Sequence, residues 1–183
     1  MKRLSNAELM ILQIINILGK VSGYEINAYV SEMNYQKWAD IGKTSVYSAL
    51  KKLKKKDLVL LFIDTKKVGK GPIPKKYSVT DLGITTVKQE MLSTIVSENE
   101  RSKRLNLVIS SIQILSLEEI LHSFEERKVN LVNEKKNLVN QLNEFSNCLP
   151  IGGEFLYKKI ILSFENELLF AESIIDKCKK GEL

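Results

Sequence analysis

Gly42-Lys43-Thr44-Ser45-Val46-Tyr47-Ser48-Ala49-Leu50-Lys51-Lys52-Leu53 is the stretch on which the fold of this chain turns. On a helix of 3.6 residues per turn, Val46, Ala49, Leu50 and Leu53 gather into one apolar stripe. Thr44, Ser48, Lys51 and Lys55 gather on the opposite side, with Tyr47 and Lys52 on its flanks. Hydroxyls, an aromatic ring and ammonium groups suit a surface of phosphates and base edges. The spacing therefore predicts a helix over 43–56 that reads double-stranded DNA, with the other segments positioning it. Asp57 follows where a glycine commonly sits. Asp tolerates the left-handed conformation, so a stop there is physically reasonable.

Upstream, Ser5 and Glu8 have capping-box spacing before Leu9, Leu12, Ile15 and Leu18, and Gly19 supplies a stop. A first helix is expected over 5–18. Ser22 and Glu25 repeat the box ahead of Ile26, Tyr29, Val30 and Met33, which predicts a second helix over 23–33. Residues 34–41 show no clear period, and Trp38 among them is expected to plug the structure beside the third helix.

Downstream, Leu58 to Ile63 is short and β-prone and reads as a strand. Residues 64–74 carry Gly69, Gly71, Pro72 and Pro74 and read as a turn, and Lys75 to Val79 reads as a second strand. The two form a hairpin with a lysine-rich loop. Thr80, as N-cap, starts a helix with apolar positions Leu82, Val87, Met91, Leu92, Ile95 and Val96.

Charge follows the same division. Residues 1–90 hold 16 Lys and Arg against 8 Asp and Glu, and residues 91–183 hold 12 against 14. Ten lysines fall within 51–76 alone, against Asp57 and Asp64. The whole excess of the +6 net charge lies in the N-terminal half, the footprint of an anion-binding domain. The candidate DNA contacts are Lys43, Thr44, Ser45, Tyr47, Ser48, Lys51, Lys52 and Lys55 from the helix and Lys66, Lys67, Lys70, Lys75 and Lys76 from the hairpin. Lys54 and Lys56 lie off the outward centre and read as solubilising. Tyr24 and Tyr77 read as packing residues, and Tyr47 could be either.

The polar run 97–104 reads as a linker or solvated turn between a domain at 1–96 and a helical domain at 105–183. In the latter, Leu117, Leu121, Phe124, Lys128, Leu131, Lys135, Leu138, Leu142 and Phe145 follow alternating four- and three-residue steps, a heptad seam interrupted by two lysines. Lys128 and Lys135 should sit at its edge or meet acids such as Glu125 or Glu134, because a buried unpaired ammonium is costly. Pro150, Gly152 and Gly153 break the chain. A last helix over 154–179 carries Tyr157, Ile161, Phe164, Leu168, Ala171, Ile175 and Cys178. The expected dimer contacts are Leu121, Phe124, Leu131, Leu138, Leu142, Phe164, Leu168 and Ile175.

The fold class that follows is mainly α with a small β-hairpin: a winged helix-turn-helix domain, then an all-helical dimerisation domain. In such a domain the third helix enters the major groove and the wing meets phosphates. The residues also match a family. Leu4-Ser5 through Leu12, Ser22-Gly23-Tyr24-Glu25-Ile26, Val46-Tyr47-Ser48-Ala49-Leu50-Lys51-Lys52-Leu53 and Lys76-Tyr77-Ser78-Val79-Thr80-Asp81-Leu82-Gly83 resemble, in order and separation, motifs of the PadR family of transcriptional regulators. The resemblance covers residues 4–90. The second half, with a final helix containing Glu172, resembles longer members with a separate C-terminal domain. The resemblance implies a homodimer, usually a repressor, whose DNA affinity a small-molecule effector can change. Ser22 stands for the family's histidine, Ser48 for its proline and Asp57 for its glycine. Ser48 lies on the outward face, so no DNA sequence preference carries over.

Other chemistries fit poorly. Gly42-Lys43-Thr44 mimics the end of a phosphate-binding loop, but the glycine that motif needs five positions before Gly42 is Lys37. His122 has no nucleophile or carboxylate motif around it and reads as helix surface, so no enzyme is expected. Cys148 and Cys178 lack metal-site spacing and read as free thiols. No cofactor, metal or membrane span is expected, and a cytoplasmic location is. The rival reading is a winged helix that docks protein, its lysines serving as solvated surface.

Overall fold

The computed structural model describes residues 3–39, 41–63, 75–97, 102–145 and 148–182, the side chains of Lys43 and Thr44 excepted. The fold is mainly helical, with one small antiparallel sheet. The chain divides into two units, Met1–Thr94 with Ser102–Ile114, and Ile95–Arg101 with Leu115–Leu183.

The first unit is built around α1 (Asn6–Leu18). Its eight residues from Glu8 to Ile15 are all buried. That run exceeds the single apolar face expected, and Leu18 at its end is exposed. A helix buried all round needs neighbours on several sides. They are α4 (Lys43–Lys55), α6 (Lys103–Ile109) and β3 (Lys75–Val79). The capping box at its start is made: Ser5 N–H donates to Glu8 Oε2 at 2.9 Å, and Glu8 N–H to Ser5 Oγ at 3.3 Å.

Before α2 (Gly23–Glu32) the chain forms β1, the two residues Val21–Ser22. The hairpin therefore becomes a three-stranded sheet in the order β1-β3-β2, with β2 spanning Val59–Ile63. Val21 pairs with Tyr77 and Ser22 with Lys76; Phe62 faces Lys76 from the other side. Residues 64–74, with Lys66, Lys67 and Lys70, lie outside the described residues. Residues 34–41 form a short helix, α3 (Tyr35–Trp38). Trp38 donates its indole N–H to the Met33 carbonyl at 3.1 Å and lies 4.5 Å from the buried Tyr35 ring.

The end of α4 shows how the sequence stops a helix without glycine. Asp57 has φ +57°. Leu58 N–H donates to the Leu53 carbonyl, and Asp57 N–H to the Lys54 carbonyl, both at 3.1 Å. These are the two bonds of a Schellman cap, and Leu53 and Leu58, both fully buried, make its apolar contact. Thr80 then joins this cap to α5 (Asp81–Ser97). Its hydroxyl donates to the Asp57 carbonyl at 2.8 Å and accepts from Gly83 N–H at 2.9 Å.

Of the expected linker at 97–104, residues 98–101 lie outside the described residues. Arg104 is buried, and Ser102–Ile114 group with the first unit. The Arg104 guanidinium donates to the Leu4 carbonyl at 2.8 Å, Asn6 Oδ1 at 3.2 Å and Thr94 Oγ1 at 3.1 Å, and pairs with Glu90. A polar residue type is here an anchor in the core.

The second unit is an α-hairpin of α7 (Leu117–Phe145) and α8 (Ile151–Lys180) packed on each other. Ser116 and Glu119 form a capping box at the start of α7. Pro150 is the N-cap of α8, and Gly152 and Gly153 lie inside that helix rather than breaking it. The seam lysines sit at the edge, paired to α8 instead of to neighbours on α7. Lys128 meets Glu172 and Lys135 meets Glu165, each at 2.8 Å, while Glu125 meets Lys179 at 3.1 Å. Exposed pairs of this kind contribute about 0–1 kcal/mol each and mainly set register. The deeper polar group is Arg127, 1% exposed, which donates to the Ile95 carbonyl and to Glu167, each at 2.8 Å.

Candidate nucleic-acid interface

The α4 helix separates its faces as its spacing requires. Val46, Ala49, Leu50 and Leu53 are buried against α1 and α2. Tyr47, Ser48, Lys51, Lys52, Lys54 and Lys55 are exposed, and Ser45 is half-buried. The Ser48 hydroxyl donates to the Ser45 carbonyl at 3.0 Å. Four exposed lysines within five residues, with no acid among the described residues of that stretch, make the outward face strongly cationic.

Both ends of the helix are tied down. At the C-terminal end Lys56 turns away from this face and pairs with Glu8 at 2.6 Å. Lys56 is thus a structural cation rather than a solubilising one. Burial pushes the Glu8 carboxyl up. The Lys56 ammonium and the Ser5 N–H and hydroxyl outweigh it and hold the group below its ordinary 4.5. Nearer the N-terminal end, the Tyr47 ring lies on the first turn of α2. A Cβ at Gly23 would come within 2.7 Å of Tyr47 Cε1. Glycine there lets helix and ring approach, while Tyr47 stays 58% exposed. Tyr77 lies close by, its phenol raised above 10.0 by burial and then by Tyr47.

The sheet extends the surface. Lys75 and Lys76 are exposed. Glu25, near Lys76, is held below its ordinary 4.5 first by the Ser22 N–H and hydroxyl and then by the Lys76 charge. The structure therefore brings Ser45, Tyr47, Ser48, Lys51, Lys52 and Lys55 onto one helix, with Lys75 and Lys76 on the adjoining strand. Tyr24 differs from expectation. It is 79% exposed, because on α2 it lies about 200° around the helix from the buried Ile26. The helical period carried that signal; the aromatic residue type obscured it. Lys20 is a cation that no local pattern in the sequence marks. It is exposed, with its Nζ 3.8 Å from the centroid of the Phe62 ring.

The expected dimer residues divide. Phe124, Leu131 and Ile175 are buried between α7 and α8 of one chain, with Phe124 edge-on to Phe170 at 6.1 Å. Leu121, Leu138, Leu142, Phe164 and Leu168 are half-buried. On α8, Phe155, Leu162 and Leu169 are each more than half accessible and seven residues apart, and Phe164 lies about 200° around the helix from Leu162. Among the described residues no three or more potential metal ligands cluster, and no helix is long and apolar enough to cross a membrane.

Three packed helices and a three-stranded sheet, with a cationic third long helix, define a winged helix-turn-helix unit. The chain is similar over nearly its full length to crystal structures of Bacillus subtilis PadR. Against PadR in complex with operator DNA, identity is 21%, coverage is 93% of this chain and 98% of that one, and the TM-score is 0.39. Against PadR in complex with p-coumaric acid the values are 19%, 96%, 98% and 0.39. Against PadR alone they are 20%, 97%, 99% and 0.38. No protein-family model and no curated protein matches the chain. A likeness at this level says nothing of what this chain binds.

Proposed function

We propose that this chain is a sequence-specific, homodimeric transcriptional regulator that binds double-stranded DNA and represses. The observation that carries the reading is α4: a fully buried apolar back, a front of Tyr47, Ser48, Lys51, Lys52 and Lys55, and ends pinned by Lys56–Glu8 and Gly23. A rigid cationic helix beside a basic hairpin suits a major groove flanked by phosphates. Side chains ordered before binding lose less entropy on binding. Repression is what the family resemblance implies.

Selection of bound duplexes from a random pool tests the reading. The expected product is a two-fold symmetric motif with half-sites about one helical turn apart. Lys51→Ala with Lys55→Ala should lower the slope of log affinity against log salt by about 0.9 for each phosphate no longer neutralised. No enrichment, together with an unchanged slope, sinks DNA reading in favour of a protein-docking winged helix.

The dimer would close over the α8 stripe Phe155, Leu162 and Leu169, which lies on the opposite side of that helix from Phe164. Phe124, Leu131 and Ile175 have little surface left to bury against a partner. A regular exposed apolar stripe is unusual on a monomer. Leu162→Lys with Leu169→Lys should convert the dimer to monomer in sedimentation equilibrium and leave helical content unchanged. A mass unaltered by both changes would place the interface elsewhere.

A further inference from the structure

We propose that Lys20 is a further phosphate contact of the DNA-binding surface, held in place by the ring of Phe62. The proposal rests on the reading of the chain as a duplex-DNA binder. Ser22, Lys76 and Phe62 face one another across the three strands, so their side chains share the outer face of the sheet. Lys20, two residues before Ser22, lays its ammonium 3.8 Å from the Phe62 ring centroid.

That contact explains an otherwise odd residue choice. Phe62 is 39% exposed, on a face where a polar side chain would serve solubility. A ring face attracts a cation without neutralising it. The ammonium is therefore fixed in direction while its charge stays available. A free lysine loses rotamer entropy when it meets a phosphate, and a lysine already laid on a ring loses less. Among the described residues no carboxylate is ion-paired with Lys20. The nearby acid on α2, Glu25, is occupied by the Ser22 N–H at 2.7 Å and the Lys76 charge.

Position supports the same assignment. Lys20 is three residues from Gly23, where the sheet corner touches Tyr47 of α4. Lys20 and Lys76 thus continue the cationic surface of α4 across the sheet. Like charges gathered on one face repel, and a polyanion relieves that repulsion.

The full-length chain and a duplex DNA test this, with the selected motif or, before one is known, a random-sequence duplex at low salt. Lys20→Ala should weaken binding several-fold and lower the salt slope by about 0.9, the value of one phosphate contact. Lys20→Arg should keep the slope. Phe62→Leu, which retains apolar bulk but removes the ring, should weaken binding and keep the slope, because the charge remains but its ordering is lost. If Lys20→Ala keeps the slope while Lys51→Ala lowers it, Lys20 is solvated surface and the DNA-binding reading stands without it. If Phe62→Leu binds as tightly as the parent, the ring does not hold the contact. If the parent chain binds no duplex at low salt, the underlying reading falls, and this inference with it.

Discussion

Gly83→Ala should lower the melting temperature of the first unit by roughly 15 °C, the equivalent of about 3 kcal/mol for a unit of this size. A Cβ at Gly83 would collide with the Leu58 carbonyl oxygen, lie 3.2 Å from its carbon and come within 2.7 Å of Val79 Cγ2. The obstacle is backbone, which cannot rotate aside as a side chain can. Nor is that carbonyl free to shift, since it accepts the Thr80 N–H at 3.1 Å. Leu58 also closes the cap of α4 through its N–H and its contact with Leu53. A shift large enough to admit a methyl group therefore loosens α4, and under the proposed DNA-binding function affinity for duplex DNA should fall with stability. Gly152→Ala is the matched control, because a Cβ there meets nothing within 4 Å. It should be neutral or slightly stabilising, alanine being the better helix former. Thermal unfolding of both variants checks the claim. A Gly83→Ala protein within about 1 kcal/mol of the parent would show that the α4 cap yields easily, against the range expected for overpacking.

Elements encoded by local pattern were legible in the sequence. The helices carrying Leu9 to Leu18, Ile26 to Val30 and Val46 to Leu53 each show a period, a cap or both within a single window. Asp57 was legible as a stop because few residues other than glycine tolerate φ above zero, and it adopts that conformation. The strand at Lys75–Val79 was bounded by turn residues on one side and a cap on the other. What stayed hidden depends on distance along the chain. The β1 strand is two residues long and exists only because Tyr77 and Lys76 lie beside it. The acids that meet Lys128 and Lys135 are Glu172 and Glu165, far along the next helix, so no local spacing could name them. Lys20 follows the stop at Gly19 outside any periodic segment, and its ring partner Phe62 lies across two strand pairings. The α4 front was legible as a candidate site because amphipathicity is itself a statement about which side faces out. Which face of the sheet joins it was not.

Arg104 is where charge misled most, and its removal should be the other large loss: Arg104→Ala is expected to cost about 3–5 kcal/mol, the range for breaking a buried ion pair from one side. Sequence places it in a polar run, which reads as solvated. In the fold its fork reaches the Leu4 carbonyl, Asn6, Thr94 and Glu90, so one side chain joins α6 to α5 and the entry of α1. Glu90 in turn accepts the Leu4 N–H at 2.9 Å. Removal would leave a largely buried carboxylate without its cation and the Leu4 carbonyl without this donor, and each is costly. Arg104→Lys should recover only a small part, since one ammonium cannot span acceptors that a planar fork serves together. Urea unfolding of Arg104→Ala, Glu90→Ala and the double variant separates the pair from the rest. The pair predicts a coupling above about 1 kcal/mol, and Glu90→Ala should cost less than Arg104→Ala because it spares the Asn6 and Thr94 bonds. Additive losses, or an Arg104→Ala protein within about 1 kcal/mol of the parent, would show that Arg104 does not anchor this unit. If the large loss is found, the winged-helix unit needs the segment 102–114 for its own stability. A fragment ending before Ser102 should then be less stable, by a comparable amount, than one ending after Ile114.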